Sequence, residues 1–328
     1  MIRLGTVGTS GICDSFLEGA ALTNKFSLAA IYSRKIETGA IFGRKHQCDK
    51  IFTNLKEMAE SDLIDAVYIA TPNLFHWEQS RLFLQNGKHV ICEKPIVTNA
   101  NEYEELKALA DRKGLIYMEA IIPRHIKTYK SVKSALSKIG KIKDADIKYL
   151  QRSSRMDAFL RGEHVNIFDM SLHAGALMDL GVYCVYGAVD LLGAPNGITA
   201  DKILLSNGAD GEDSAVFYYD DFKAKLTYSK TRDGYSQSVI KGEKGSLTID
   251  MISQYTGVTL KTGEEETIIA KTLSKAQQMR GEAERFADYI LDFKTNKEDY
   301  ERVGELCLLV HKSMDEIKKS ANLSYDIK

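Results

Sequence analysis

From residue 1 to 121, short β-branched apolar runs alternate with segments of helical period, the cue for a parallel sheet wrapped by helices. Ile2–Val7 and Phe26–Tyr32 read as the first two strands, and Ala66–Ala70, His89–Cys92 and Leu115–Met118 as later ones. Runs this continuously apolar suit a sheet covered on both faces. Between the last two, Asn99 with Glu102 three residues on predicts a helix start. Tyr103, Leu106 and Ala110 share one face of that helix, and Gly114 closes it. Past residue 122 the pattern changes. A helical period over Thr128–Ile139 precedes a strand over Lys141–Leu150, and from Ile198 onward strand follows strand. Asp220-Asp221 separates Ala215–Tyr219 from Lys223–Ser229, and Asp233-Gly234 introduces another strand pair. Such runs predict an open, mainly antiparallel sheet. Helical spacing returns in Met279, Ala283, Phe286, Ile290 and Phe293, then in Val303, Leu306, Val310, Met314 and Ile317. The expected fold is therefore α/β: a doubly wound parallel sheet over residues 1–121, then an α+β domain over 122–328 whose closing helices are free to pack back on the first.

Composition narrows the function classes. The chain has 328 residues, room for two domains, and its 44% apolar and 27% charged content excludes disorder. Lys+Arg 44 against Asp+Glu 45 leaves a formal net charge of −1, which argues against wholesale binding to nucleic acid or an anionic membrane. No apolar run is expected to reach the roughly 18 residues of a bilayer span, and Met1–Gly5 lacks a signal-peptide layout. The five cysteines are odd in number and widely spaced, with no CxxC, so they read as reduced thiols of a cytoplasmic protein rather than a disulfide scaffold or zinc knuckle.

Three places carry candidate chemistry. The first strand runs into Gly8-Thr9-Ser10-Gly11-Ile12-Cys13, a turn of small residues leading into a helix, as a Rossmann pyrophosphate site requires. Ser10 and Cys13 stand where the strict G-x-G-x-x-G/A pattern has its second and third small residues. The second strand ends in Ser33-Arg34-Lys35 without the acid that would accept from a ribose 2′-hydroxyl; a guanidinium and a hydroxyl suit a 2′-phosphate instead. NADP is thus the expected cofactor, with NAD the alternative. Finally, Ala70-Thr71-Pro72-Asn73 with His76, and Cys92-Glu93-Lys94-Pro95, lie at the carboxyl ends of later strands, where open parallel sheets bind ligands.

These motifs together resemble the Gfo/Idh/MocA oxidoreductases, nicotinamide-dependent dehydrogenases and reductases of sugars, cyclitols and related alcohols. Gly175-Ala176-Leu177-Met178-Asp179-Leu180-Gly181-Val182-Tyr183 is similar to that family's G-A-L-x-D-x-G-x-H/Y element, and its Tyr resembles the dihydrodiol dehydrogenase and sugar reductase branch. The resemblance implies cofactor contacts from Gly8, Thr9, Ser10, Gly11, Ile12, Ser33, Arg34, Thr71, Pro72, Asn73, His76, Glu93 and Lys94. It also implies that Lys94 bonds the reacting oxygen, with Asp179 and Tyr183 approaching from the second domain. Lys94, Tyr183 and Asp179 are the catalytic candidates, and Arg124 and His173 join them as substrate candidates. Asp179 and Tyr183 are spaced i, i+4, which shares one helix face; a nearby ammonium would lower the phenol toward a usable proton donor and acceptor.

Weaker signals receive other readings. Asp169 and His173 also have i, i+4 spacing, but two ligands without a third do not make a metal site, and none is expected. Glu119 and Arg124 flank the crossover between domains, where an interdomain ion pair is the plainer reading. The absence of a P-loop, H-E-x-x-H or G-x-S-x-G motif removes the usual NTPase, zincin and serine-hydrolase functions. The expected partners are a small polyhydroxylated or cyclic alcohol or carbonyl compound and a second copy of the chain. An uncovered face of the second sheet would build a homodimer or homotetramer. The rival function is a redox-silent nucleotide sensor on the same scaffold.

Overall fold

The structure is a computed structural model and describes residues 1–325. Two compact units emerge, one of residues 1–125 with 274–305, the other of residues 126–273 with 306 onward.

The first unit is built on six parallel strands: β1 (Ile2–Val7), β2 (Phe26–Tyr32), β3 (Ile51–Phe52), β4 (Ala66–Ile69), β5 (His89–Glu93) and β6 (Tyr117–Ala120). They lie in the order β3-β2-β1-β4-β5-β6, so the winding reverses between β1 and β4. This is the doubly wound order of the Rossmann fold, whose ligand crevice opens at that reversal. β4 is buried at all four positions, as its continuous apolar run requires. The final strand starts two residues later than Leu115, because Leu115 is still held by the preceding helix through its bond to the carbonyl of Ala110. Asn99 caps the helix Ala100–Lys113 by accepting from the Glu102 amide, and Gly114 ends it with a φ of 67°. Glu102 reaches back to the amide and hydroxyl of Thr98 rather than to Asn99. The helix Lys275–Leu291 opens with a Ser274–Gln277 capping box and packs along Gly11–Ala21. A Cβ at Gly19 would come within 2.6 Å of the Met279 Cβ.

The second unit holds eight strands: β7 (Ile142–Leu150), β8 (Gly197–Leu204), β9 (Asp210–Tyr218), β10 (Lys223–Ser229), β11 (Ser238–Gly242), β12 (Gly245–Met251), β13 (Thr256–Thr262) and β14 (Glu265–Ala270). Their order is β14-β13-β12-β11-β7-β10-β9-β8, antiparallel throughout except for the parallel pair β7 and β10. One face is apolar: Ala145, Ile147, Ala215, Phe217, Leu226, Ile240, Leu247 and Val258 are buried beneath the helices Tyr129–Lys138 and Val182–Leu192. The opposite face carries Asp146, Lys148, Lys225, Thr227, Thr248 and Thr259, none of them buried. Val216, Val239, Ile203 and Ile268 stand on that same face, so it is mixed in character.

One expectation is corrected here. Met170–Leu192 is long and apolar enough, by length and composition alone, to cross a membrane, with a mean hydropathy of 1.4 over its best window. Asp179 and Asp190 interrupt the run and hide it from a count of consecutive apolar residues. Within the protein 78% of that window is buried, the burial expected of a core element.

Candidate functional site

The carboxyl edge of the parallel sheet gathers the first set of site residues. Gly8 ends β1 with a φ of 117°, and a Cβ there would stand 2.8 Å from the carbonyl oxygen of Ala70, at the end of β4. Only glycine fits so close an approach in that conformation. Ser10 has an ordinary φ of −83° and makes no side-chain cap to the helix Gly11–Ala21, so the turn requires no glycine at that place. A Cβ at Gly11 would meet open space, and Ile12 is half-buried beside it. Cys13 points the other way, into the core, where burial pushes its thiol up to about 11. The substitution at the third small position is therefore spent on packing and leaves the outer side of the turn clear. Asp14 would put negative charge in the first turn, and burial would raise its carboxyl. Bonds from Lys45 at 2.8 Å and His46 at 2.7 Å outweigh burial and hold it below the usual range.

At the end of β2, Ser33 is buried and donates its hydroxyl to the carbonyl of Lys35 at 2.9 Å. The hydroxyl is thus engaged within its own turn, while Arg34 and Lys35 are exposed at the strand end.

The loops after β4 and β5 are tied together through His76. Its Nδ1 lies 2.8 Å from the carbonyl oxygen of Pro95 and its Nε2 2.8 Å from that of Thr71. Two facing carbonyls favour the doubly donating imidazolium; complete burial opposes it and lowers the ring's pKa. Thr71 donates its hydroxyl to Gln79, Pro72 precedes a short 3-10 turn over Asn73–Phe75, and His76 opens the helix His76–Gln85. Glu93 is buried behind this edge, where it accepts from the Tyr68 hydroxyl at 2.5 Å and the Lys94 amide at 3.3 Å. Burial raises its carboxyl, against the lowering influence of Tyr68 and of the Lys94 and Lys275 charges. Lys94 is half-buried, followed by a cis peptide to Pro95. Glu119 fixes the same loop by accepting from the Ile96 amide at 2.8 Å.

Arg124 bonds Asp299 at 2.8 Å, and the Tyr289 hydroxyl bonds the same carboxylate at 2.7 Å. Both ends of this ion pair belong to the first unit.

The second unit carries its own cluster. Asp179 sits in a π turn, Leu177–Gly181, that passes directly into the helix bearing Tyr183. A π turn keeps residues four apart on nearly the same side, and such turns are frequent at functional sites. Asp179 pairs with Lys230, whose side chain is only 2% exposed and sits over the Phe168 ring. Tyr183 is half-buried and packs edge-on against Tyr149 with ring centres 5.8 Å apart. His173 has a φ of 53° and stacks on Tyr325 at 5.9 Å. The helical face expected for Asp169 and His173 does not exist. Asp169 caps a single 3-10 turn by accepting from Ser171, His173 ends that turn, and Asp169 instead bonds His164 at 2.7 Å.

Residues 2–121 match the family model described as "Oxidoreductase family, NAD-binding Rossmann fold" (GFO_IDH_MocA). Across 327 residues the chain is 41% identical to scyllo-inositol 2-dehydrogenase (NADP(+)) of Bacillus subtilis, covering 99% of this chain and 98% of that one. The chain belongs to the Gfo/Idh/MocA oxidoreductase family. Another relative is the trans-1,2-dihydrobenzene-1,2-diol dehydrogenase of Xenopus tropicalis, 29% identical over 68% of this chain and 66% of its own length. The fold matches a 3-ketoreductase of Actinomadura kijaniata, solved with NADP and TDP-benzene, at a TM-score of 0.84 and 22% identity over 98% of each chain.

Lys230 is the functional candidate that family motifs did not supply. Its signal was nevertheless present, since Ala224, Leu226 and Tyr228 alternate along β10 onto the buried face and Lys230, one residue past its end, continues that spacing. Asp210, at the start of β9, lacked even that. Its importance comes from contacts with residues more than thirty positions away.

Proposed function

We propose that this member of the Gfo/Idh/MocA family is an NADP-dependent dehydrogenase that transfers a hydride between the cofactor and a polyhydroxylated ring alcohol, with a cyclitol as the first candidate substrate. The observation that carries it is the end-to-end 41% identity with a scyllo-inositol 2-dehydrogenase (NADP(+)). The glycine-only turn at Gly8, the open space beside Gly11 and the exposed Arg34 support nucleotide binding. Amides of the first turn of Gly11–Ala21 would receive the pyrophosphate, favoured by the helix dipole. Arg34 would hold the 2′-phosphate.

When bound, the nicotinamide supplies the hydride donor or acceptor; the chain positions the carbinol carbon and handles one proton. Lys94 hydrogen-bonds the reacting oxygen and stabilises the charge that grows on it. Tyr183 gives or takes the proton, with Asp179 orienting a neighbouring hydroxyl. The Lys230 ammonium holds Asp179 in place for a substrate hydroxyl. Arg124 is assigned to support through Asp299, and His173 to lining the substrate side. Cytoplasmic location and self-association as a dimer or tetramer belong to the same proposal; sedimentation velocity at micromolar concentration checks the latter.

The test is nicotinamide absorbance with NADPH or NADP against a panel of inositols, aldoses and trans-dihydrodiols. Turnover is expected with at least one cyclitol and is expected to vanish in Lys94→Ala, with NADPH affinity unchanged within about twofold. Equal turnover in wild type and Lys94→Ala removes Lys94 from the chemistry. Tight NADPH binding with no turnover across the panel returns the protein to the sensor reading.

A further inference from the structure

The substrate-side cluster of the second unit is organised by a carboxylate and a phenol that no family motif contains. Asp210 is fully buried, and its Oδ2 accepts from the amide of Leu177 at 2.6 Å. Leu177 is the first residue of the turn carrying Asp179. The approach is tight enough that a Cβ at Gly175 would stand 1.8 Å from Asp210 Oδ1. That same Oδ1 accepts from the Tyr325 hydroxyl at 3.0 Å. Tyr325 is 5% exposed, and its ring lies nearly parallel to the His173 ring, 23° between planes. The segment leading to it is pinned along β8: Ser320 accepts from the Ala200 amide at 2.9 Å, Lys202 bonds the carbonyl of Asn322, and Leu323 is buried.

We propose that Tyr325 is a positioning residue, through which the closing segment of the chain sets the place of His173 and of the turn that presents Asp179 and Tyr183. This rests on the reading of those three as substrate-side groups. A helix start is commonly capped by a neighbour in sequence. Here the cap comes from the sheet, so the turn is registered to β9. Asp210 keeps that register only while both its oxygens have donors. Removing the phenol takes one donor from a buried carboxyl oxygen and empties the place beside His173, and losing a donor to a buried acceptor destabilises what it holds. The next residue of β9 serves the same cluster, since the Gly211 carbonyl accepts from the Lys230 amide at 2.8 Å and Lys230 pairs with Asp179.

The test uses the full chain with Tyr325→Phe, which keeps the ring but loses the hydroxyl, and Tyr325→Ala, which loses both. Hydrogen exchange read by mass spectrometry should show peptides within residues 173–183 exchanging about tenfold faster in Tyr325→Ala and less so in Tyr325→Phe, the loss expected for one buried hydrogen bond. Peptides covering residues 11–21 should be unchanged. With a turned-over substrate, KM should rise about tenfold in Tyr325→Ala at constant NADPH affinity, with partial recovery in Tyr325→Phe. Wild-type exchange rates at 173–183 in both variants overturn the proposal, and so does acceleration spread evenly over residues 126–273. If Tyr325→Ala does not fold, Tyr325→Phe alone decides, by its exchange at 173–183. Absence of any turnover in wild type would sink the function proposed above, while the exchange measurement would still judge Tyr325.

Discussion

Replacing Asp213 with Asn should stabilise the protein, increasingly so as pH rises. Asp213 is 3% exposed, so water does not reach its carboxyl. Its neighbour is the carboxylate of Asp210. Burial first, then the Asp210 charge and hydrogen bond, push Asp213 up to about 9, so near neutrality the folded protein keeps a proton on it. The unfolded chain releases that proton near pH 3.9. The sign follows: a carboxyl whose folded value is raised contributes most at low pH, and that contribution is lost as pH climbs from the unfolded value to the folded one. Across that window the native state holds one extra proton, and stability falls by about 1.4 kcal/mol per pH unit. From roughly pH 5.5 to 7.5 this single group therefore costs about 3 kcal/mol. Asn is the same shape, can donate to Asp210 as the protonated acid does, and does not titrate. Urea unfolding followed by far-ultraviolet circular dichroism at three pH values should give variant-minus-wild-type differences that grow by that slope. Differences constant with pH, at unchanged m-value, would refute the shared proton. Glu93 and Glu282 are also raised and steepen both curves alike, which is why the difference is the quantity to read.

Two further substitutions address the two halves of the site. Lys230→Met, which preserves length and burial, should lower kcat/KM by about 10–100-fold by removing the ammonium from Asp179, the range expected for breaking a buried charge pair. NADPH titration should be unchanged; normal kinetics would show that Asp179 needs no cation. Gly8→Ala forces a Cβ to 2.8 Å from the Ala70 carbonyl at a φ of 117°, so melting should reveal a loss of about 1–3 kcal/mol. NADPH affinity should fall about tenfold or more in the same variant, and an unaltered dissociation constant would detach the turn from nucleotide binding.

Periodicity and local punctuation are properties of neighbouring residues, so the sequence alone determined much of the framework. The order of β1, β2, β4 and β5, the Asn99 and Gly114 boundaries of one helix, and the strand-rich second half all follow from spacing, because 3.6- and 2-residue periods are set by backbone geometry. The family motifs were legible for the same reason: Gly8, Lys94 and the Gly175–Tyr183 element are short contiguous strings. Boundaries slipped where a tertiary hydrogen bond outweighed propensity, as at Leu115.

Only the tertiary structure decided which side chains meet. It gave Asp179 the Lys230 ammonium, gave Arg124 a partner 175 residues away, and turned Asp169 from a candidate ligand into the cap of a short turn. It also showed the Cys13 thiol to be core. Asp210 and Tyr325 stand 115 positions apart in the chain, and nothing near either one announces the other. Such contacts depend on how strands and helices stack, a sum over many weak packing interactions spread across the whole fold, so no local window of residues contains them.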